Sequence, residues 1–220
     1  MSGYPYHERQ ALARPLSAAR WVAVIHDHMD FEVPGWEKCT PAGPFGTSLH
    51  QSDYVADGIP VINPMNIVEG TIRAENIKMI SPTTKERLKE FIVREDDIVI
   101  GRRGEMGRCG IVTPGMNGWL CGTGSFLIRL REEYLASFVL LQISSPKVKS
   151  YLEQQAVGVT MKNLNQGILS SVPISVPPLN IQRAIVTRIE RERSLVEGNR
   201  ELIRIYEEKI KKVIERVWEG

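Results

Sequence analysis

At 220 residues and 42% hydrophobic side chains, the chain can bury a real core, which excludes a wholly disordered polypeptide and fits one folded domain with an appendage. Lys and Arg total 28 against 26 Asp and Glu, a formal charge of +2, so any nucleic-acid surface must come from the placement of the basic residues and not from bulk charge. Cys39, Cys109 and Cys121 are odd in number and lack CxxC spacing, which argues against a disulfide framework or a zinc site and for reduced thiols in a cytoplasmic protein.

The first twenty residues lack the apolar core of a secretory signal, and no run approaches the ~20 apolar residues of a membrane span. The expectation is a soluble protein without a membrane partner, with a loosely held tail over residues 1–34. His26 and His28 have no further ligand cluster at metal-binding spacing and read as a solvated loop, so neither a metal nor another cofactor is expected. Residues 43–50 are turn-rich, and Ser48, His50 and Gln51 are short or planar hydrogen-bonders that suit phosphates or base edges as well as an ordinary polar connection.

Residues 58–64 and 67–72 read as strands separated by Pro64-Met65-Asn66. Asn63-Pro64 is similar to the start of the Asn-Pro-Pro-aromatic loop of amino-methyltransferases. Met65 and Asn66 stand where the second proline and the aromatic plane are needed, and no Gly-rich cofactor loop follows a strand, so catalysis is not expected. Asn63 and Asn66 remain candidate polar contacts. Ser81-Pro82 is an N-cap followed by proline, predicting a helix over 83–91 with Lys85, Arg87 and Lys89 facing solvent.

Asp96 and Asp97 read as turn residues before the apolar strand Ile98-Val99-Ile100, which runs into a loop where Gly101, Gly104 and Gly107 bracket Arg102 and Arg103, with Arg108 next. Guanidinium forks match phosphate oxygens or the O6/N7 edge of guanine; a bulged hairpin with solvated arginines is the plainer alternative. Ile111-Val112 and 119–121 flank Asn117-Gly118, a hairpin signal, and 126–130 adds a strand. Apolar spacing at Tyr134, Phe138 and Leu141, then at Val148 and Leu152, predicts helices over 132–143 and 146–155.

The segment 158–166 offers Thr160, Lys162, Asn163, Asn165 and Gln166, a polar density that fits groove recognition or a plain surface loop. Ile174 and Val176 alternate with Ser175 as in a strand, which Pro177-Pro178 would stop, and Asn180 is placed to cap a long helix. In that helix Ile189, Val196, Ile203, Ile210 and Val217 recur every seven residues, with Ile185, Tyr206 and Val213 on the companion seam and Glu192 and Asn199 interrupting it. The pattern predicts a coiled-coil dimerisation helix. A helix folded back on its own domain is the alternative.

Pro177-Pro178-Leu179 followed by Gln182 and the heptad helix, behind a Gly-x-Thr-x-Lys-x-Leu loop, resembles the end of a target-recognition domain in specificity subunits of type I restriction-modification systems. Residues 58–62 and 97–107 are similar to earlier landmarks of that family, and the resemblance covers roughly 35–218; Ile181 stands where the family usually has Glu. The resemblance implies an α+β fold: a target-recognition domain with a twisted sheet over 35–179, then a spacer and dimerisation helix over 180–220. It further implies a non-catalytic subunit that reads one half of a bipartite target in double-stranded DNA and assembles with methyltransferase subunits and, through the complex, a restriction subunit. Family members carry two such domains, so 220 residues correspond to a half subunit, a truncated product or an excised domain, and two copies are expected to pair. A stand-alone DNA adenine methyltransferase and a helical oligomerisation protein without DNA affinity are the rivals.

Overall fold

The computed structural model describes residues 48–156 and 163–218. Its centre is the antiparallel sheet β7-β6-β9, formed by β6 (Ile98–Gly101), β7 (Cys109–Ile111) and β9 (Ser125–Ile128). Ile98, Ile100, Phe126 and Ile128 point from one face into a cluster with Val139, Ile143, Leu152 and Leu164, while Val99 and Leu127 point from the other toward Ile62, Ile67 and Val112. Both faces are covered, which is why the strand reads as an unbroken β-branched run and not as alternation.

A second sheet, in the order β1-β5-β2-β8, holds β1 (Tyr54–Val55), β2 (Ile59–Ile62), β5 (Lys78–Ile80) and β8 (Leu120–Cys121). Its β2 and β8 run parallel, with Val61 opposite Leu120 and Ile62 opposite Cys121. The expected hairpin around Asn117-Gly118 therefore does not exist: β7 and β8 belong to different sheets, and Gly118 sits at φ +87 in the link between them. Residues 67–72 also differ from the single strand expected, because β3 (Ile67–Val68) and β4 (Thr71–Ile72) pair antiparallel across Glu69 and Gly70, both at positive φ. That is the backbone of a tight primed turn.

Helix α1 (Pro82–Arg87) starts on Ser81, whose Oγ accepts from the Thr84 N–H at 3.1 Å, and a short 3-10 turn, Lys89–Phe91, completes the predicted segment. Helices α2 (Ala136–Ile143), α3 (Pro146–Gln155) and α4 (Gln166–Ser170) cover the central sheet. Ser145 caps α3 as Ser81 caps α1, its Oγ accepting from the Val148 N–H at 3.3 Å. Asp97 closes the expected turn, its N–H donating to the Arg94 carbonyl at 3.1 Å, and its buried carboxylate also takes a bidentate grip from Arg129, at 3.0 Å from Nε and 2.7 Å from Nη2.

Ile174 to Val176 forms no strand and pairs with none among the described residues. Gln142 substitutes for one, donating to the Ser175 carbonyl at 2.8 Å and accepting the Ser175 N–H at 2.9 Å. Ser175 is the buried residue of the three, the reverse of the face expected from alternation. The long helix α5 (Leu179–Trp218) begins one residue before Asn180, which lies exposed in its first turn. Its base is clamped by Gln182, 0% exposed: Oε1 accepts the Leu135 N–H at 2.8 Å, and Nε2 donates to the carbonyls of Pro177 at 2.8 Å and Glu133 at 2.9 Å. Val186 and Ile189 are the last buried side chains of α5, and the helix then runs on exposed. None of the helices among the described residues is long and apolar enough to cross a membrane.

Candidate nucleic-acid interface

The loop after β6 is positioned by backbone hydrogen bonds on both sides. The Arg102 N–H donates to the Gly124 carbonyl at 2.8 Å, and the Leu164 N–H donates to the Arg102 carbonyl at 2.9 Å. Arg103 and Asn163 form an antiparallel bridge. Leu164 is fully buried in the main core, so the segment carrying Asn163 is anchored beside the arginines although 61 residues separate Arg102 from Asn163 by number. Thr160 and Lys162 lie outside the described residues.

Arg102 is half-buried with its guanidinium 4.7 Å from the centroid of the Phe126 ring, and Arg103 is exposed. Burial first, and the neighbouring Arg103 charge second, lower the pKa of Arg102 from its ordinary value. Both causes disfavour the cation, so an anion arriving at this pair would be favoured electrostatically.

Pro64 packs near Gly101 and Gly124, which connects the arginine loop to a depression lined by Gln51, Tyr54, Asn63, Met65, Lys78 and Thr123. The Lys78 ammonium lies 4.9 Å from the Tyr54 ring centroid. Burial pushes the Tyr54 hydroxyl above its ordinary pKa, opposed by a hydrogen bond with Asn63. Gly122 is required beneath Asn63, since a Cβ there would collide with the Asn63 side chain and with Val61. Met65 is 69% exposed at the rim. A cation, an aromatic plane, two amides and an exposed thioether on one face are the chemistry of phosphate contact and base-edge reading.

Several expected contacts have other work. Asn66 is 3% exposed, its Oδ1 accepting the Asn63 N–H at 3.1 Å, so it shapes the 3-10 turn Pro64–Asn66 and does not reach outward. Arg108 donates to the Pro64 carbonyl at 3.3 Å and lies 3.6 Å from Glu105. Asn165 caps α4, its Oδ1 accepting the Ile168 N–H at 2.9 Å. Ser48 gives its backbone carbonyl to Arg87 at 2.6 Å and the His50 backbone N–H donates to Asp53 at 2.7 Å, bonds that do not engage either side chain, and Leu49 and Gln51 of this segment line the depression. Tyr54, Lys78 and Thr123 were missed by sequence reasoning; only the pairing of β1 with β5 brings the first two together.

The family model for the type I restriction modification DNA specificity domain matches residues 46–204. The chain belongs to this family. It is similar to the Escherichia coli type I restriction enzyme EcoBI specificity subunit, with 29% identity over 146 residues covering 65% of this chain and 30% of that subunit. Among solved structures, it resembles a chain from work on complex assembly and conformational transition of the type I R-M system, with TM-score 0.58 and 18% identity over 90% of this chain and 52% of that one. It also resembles the HsdS subunit of Thermoanaerobacter tengcongensis, with TM-score 0.56 and 15% identity over 87% of this chain and 48% of that one. The specificity-family chain thus spans about half the length of these two structural relatives and less of the curated one. At these identities the structural likenesses speak for the fold: an α+β body followed by a long C-terminal helix.

On that helix, the structure divides the heptad residues into two groups. Ile189 is 5% exposed and Ile185 half-buried, so the first turns of the seam serve the chain's own body. Val196 is half-buried, whereas Ile203, Tyr206, Ile210, Val213 and Val217 are all more than half exposed.

Proposed function

We propose that this chain is a non-catalytic DNA-recognition subunit whose body, 35–179, reads one half of a bipartite target and whose helix, 180–220, spaces two bodies and docks methyltransferase subunits, with a restriction subunit joining through the complex. The observation that carries the reading is the bridge between Arg103 and Asn163, which sets the arginine loop beside Asn163, with Pro64 packed between that loop and the depression that Asn63 and Lys78 line. The arginines supply phosphate or guanine contacts, and the amides suit adenine edges.

Pairing of two copies is supported by the exposed seam beyond Val196. An antiparallel arrangement sets Tyr206 opposite the partner's Ile203, Ile210 opposite the partner's Asn199, and Val213 opposite the partner's Val196. It also faces Arg200 with the partner's Glu207, twice by symmetry, and among the described residues neither makes an ion pair within its own chain. A parallel arrangement would put Glu192 against Glu192 and leave that charge pair unmade. In the antiparallel register the two Ile189 positions stand about 46 Å apart at ~1.5 Å per residue, or about 14 base pairs at ~3.4 Å each. The target should then be two inverted half-sites around a fixed gap.

The test is selection from randomised DNA by the chain assembled with a cognate methyltransferase subunit. An enriched bipartite inverted repeat is expected, and no enrichment overturns the reading. Arg102→Ala with Arg103→Ala then reports the type of contact: a uniform loss with a flatter salt dependence marks phosphate binding, and a loss of ~1–3 kcal/mol confined to the target marks base reading.

A further inference from the structure

At the foot of α5 there is an open cleft of about 720 Å³ between the β3–β4 hairpin, α2 and the first turns of the rod. Its floor includes Val68, Leu140, Val186 and Ile189, and Glu190 and Arg193 stand on its α5 side. At the other end of the same helix Val217 and Trp218 are 74% and 84% exposed. We propose that the cleft is an interaction surface for a second copy of this chain, and that the partner's Trp218 occupies it.

The proposal deepens the antiparallel pairing above and rests on it. The register that joins Tyr206 to the partner's Ile203 carries Val217 onto the partner's Glu192, so Trp218 arrives beside the partner's Glu190 and Arg193 at about one turn from the cleft floor. The side of the helix agrees as well as the height. Arg193, Arg200, Glu207 and Ile214 form one flank of the seam, and in an antiparallel pair each flank meets its own kind. Trp218 lies on the Ile214 side of the seam, and Val186, Glu190 and Arg193 lie on the matching side of the partner, which is the side open to the cleft.

The chemistry fits the occupant. An indole has a large apolar body for the Val68, Leu140 and Ile189 floor, and its face accepts the Arg193 guanidinium as a cation–π partner. Glu190 offers a carboxylate acceptor for the indole N–H. Each body would thereby be braced by the far end of the other chain's rod, so that the separation of the two reading faces is set at both ends of the coil and not by the coil alone.

The full chain is used for the test, with light scattering read alongside cross-linking. In a chain with Cys39→Ser and Cys109→Ser, so that no native thiol lies in or near the cleft, Glu190→Cys with Trp218→Cys should give cross-linked dimers with a short bis-maleimide. Within one helix those positions lie about 42 Å apart, beyond the reagent's reach. Trp218→Cys alone should give none. Trp218→Ala should weaken dimerisation about tenfold while leaving the fold unchanged by circular dichroism. A dimer with neither the paired cross-link nor any weakening in Trp218→Ala overturns the cleft assignment and leaves the antiparallel dimer standing. Cross-linking by Trp218→Cys alone, or a monomer at tens of micromolar, overturns the pairing beneath it as well.

Discussion

Replacing Gln182 should unlock the rod from the body. Three buried backbone groups depend on this one side chain: the Leu135 N–H and the carbonyls of Glu133 and Pro177, all within 2.9 Å. Gln182→Leu keeps the approximate volume and removes every partner. Leaving a buried polar group unsatisfied costs ~1–3 kcal/mol, so with relaxation and some water entry the expected loss is about 3–6 kcal/mol, a large part of the ~5–15 kcal/mol that holds a typical domain. Gln182→Glu is the sharper probe because it keeps the acceptor for Leu135 but turns a carboxylate oxygen toward two carbonyls. The carboxyl pKa in the folded chain would be raised above ~4.3, so the folded form binds the proton more tightly than the unfolded one. Destabilisation is then complete above the folded pKa and lessens as pH falls toward the unfolded value. Urea denaturation followed by circular dichroism, at one fixed chain concentration because pairing adds to apparent stability, measures both variants across pH. A Gln182→Leu loss below ~0.5 kcal/mol, which is the scale of an ordinary surface change, would refute the clamp. So would a Gln182→Glu variant whose stability does not recover in acid.

Asp97→Ala should cost ~1–3 kcal/mol, since it removes the bidentate partner of the part-exposed Arg129 guanidinium and the acceptor of the Arg94 N–H; thermal melts that do not move would contradict this. Val196→Asp with Ile203→Asp places charge in the proposed seam and should give a folded monomer, read by light scattering together with an unchanged near-UV spectrum. Burial pushes the Cys109 thiol up to about 11 and the Cys121 thiol up to about 12, so neither should react with a thiol reagent in the native chain at pH 8, and both should titrate once urea unfolds it. Fast labelling of either in the folded chain would place it at the surface.

Local pattern determined much of this protein. The β-branched run at Ile98, Val99 and Ile100, the serine caps before Pro82 and Pro146, and the seven-residue recurrence from Val196 to Val217 are each written within a few residues, and their elements form where the pattern lies. Glycine next to Glu69 split a supposed strand because a primed turn needs two residues at positive φ, and Glu-Gly is a weak signal for it. Only the tertiary structure decided the rest. The parallel joining of β2 to β8 spans 59 residues between Val61 and Leu120, and no local periodicity encodes a partner at that distance. Gln142 took the place of a strand for Ser175, and Gln182 took three backbone groups at once; the sequence marks the first only as a polar residue in an amphipathic helix and the second as part of a motif, without the groups that either meets. The site followed the same division. Residue type marked Arg102, Arg103, Arg108, Asn63, Asn66 and Asn163 alike as able to meet DNA, but Arg103 is left exposed while Asn63 Nδ2 donates to the Val61 carbonyl, Asn66 Oδ1 accepts the Asn63 N–H and Arg108 donates to the Pro64 carbonyl. Which amide or guanidinium is left facing outward depends on which backbone groups the fold leaves needing a partner, and that is known only when distant segments have met.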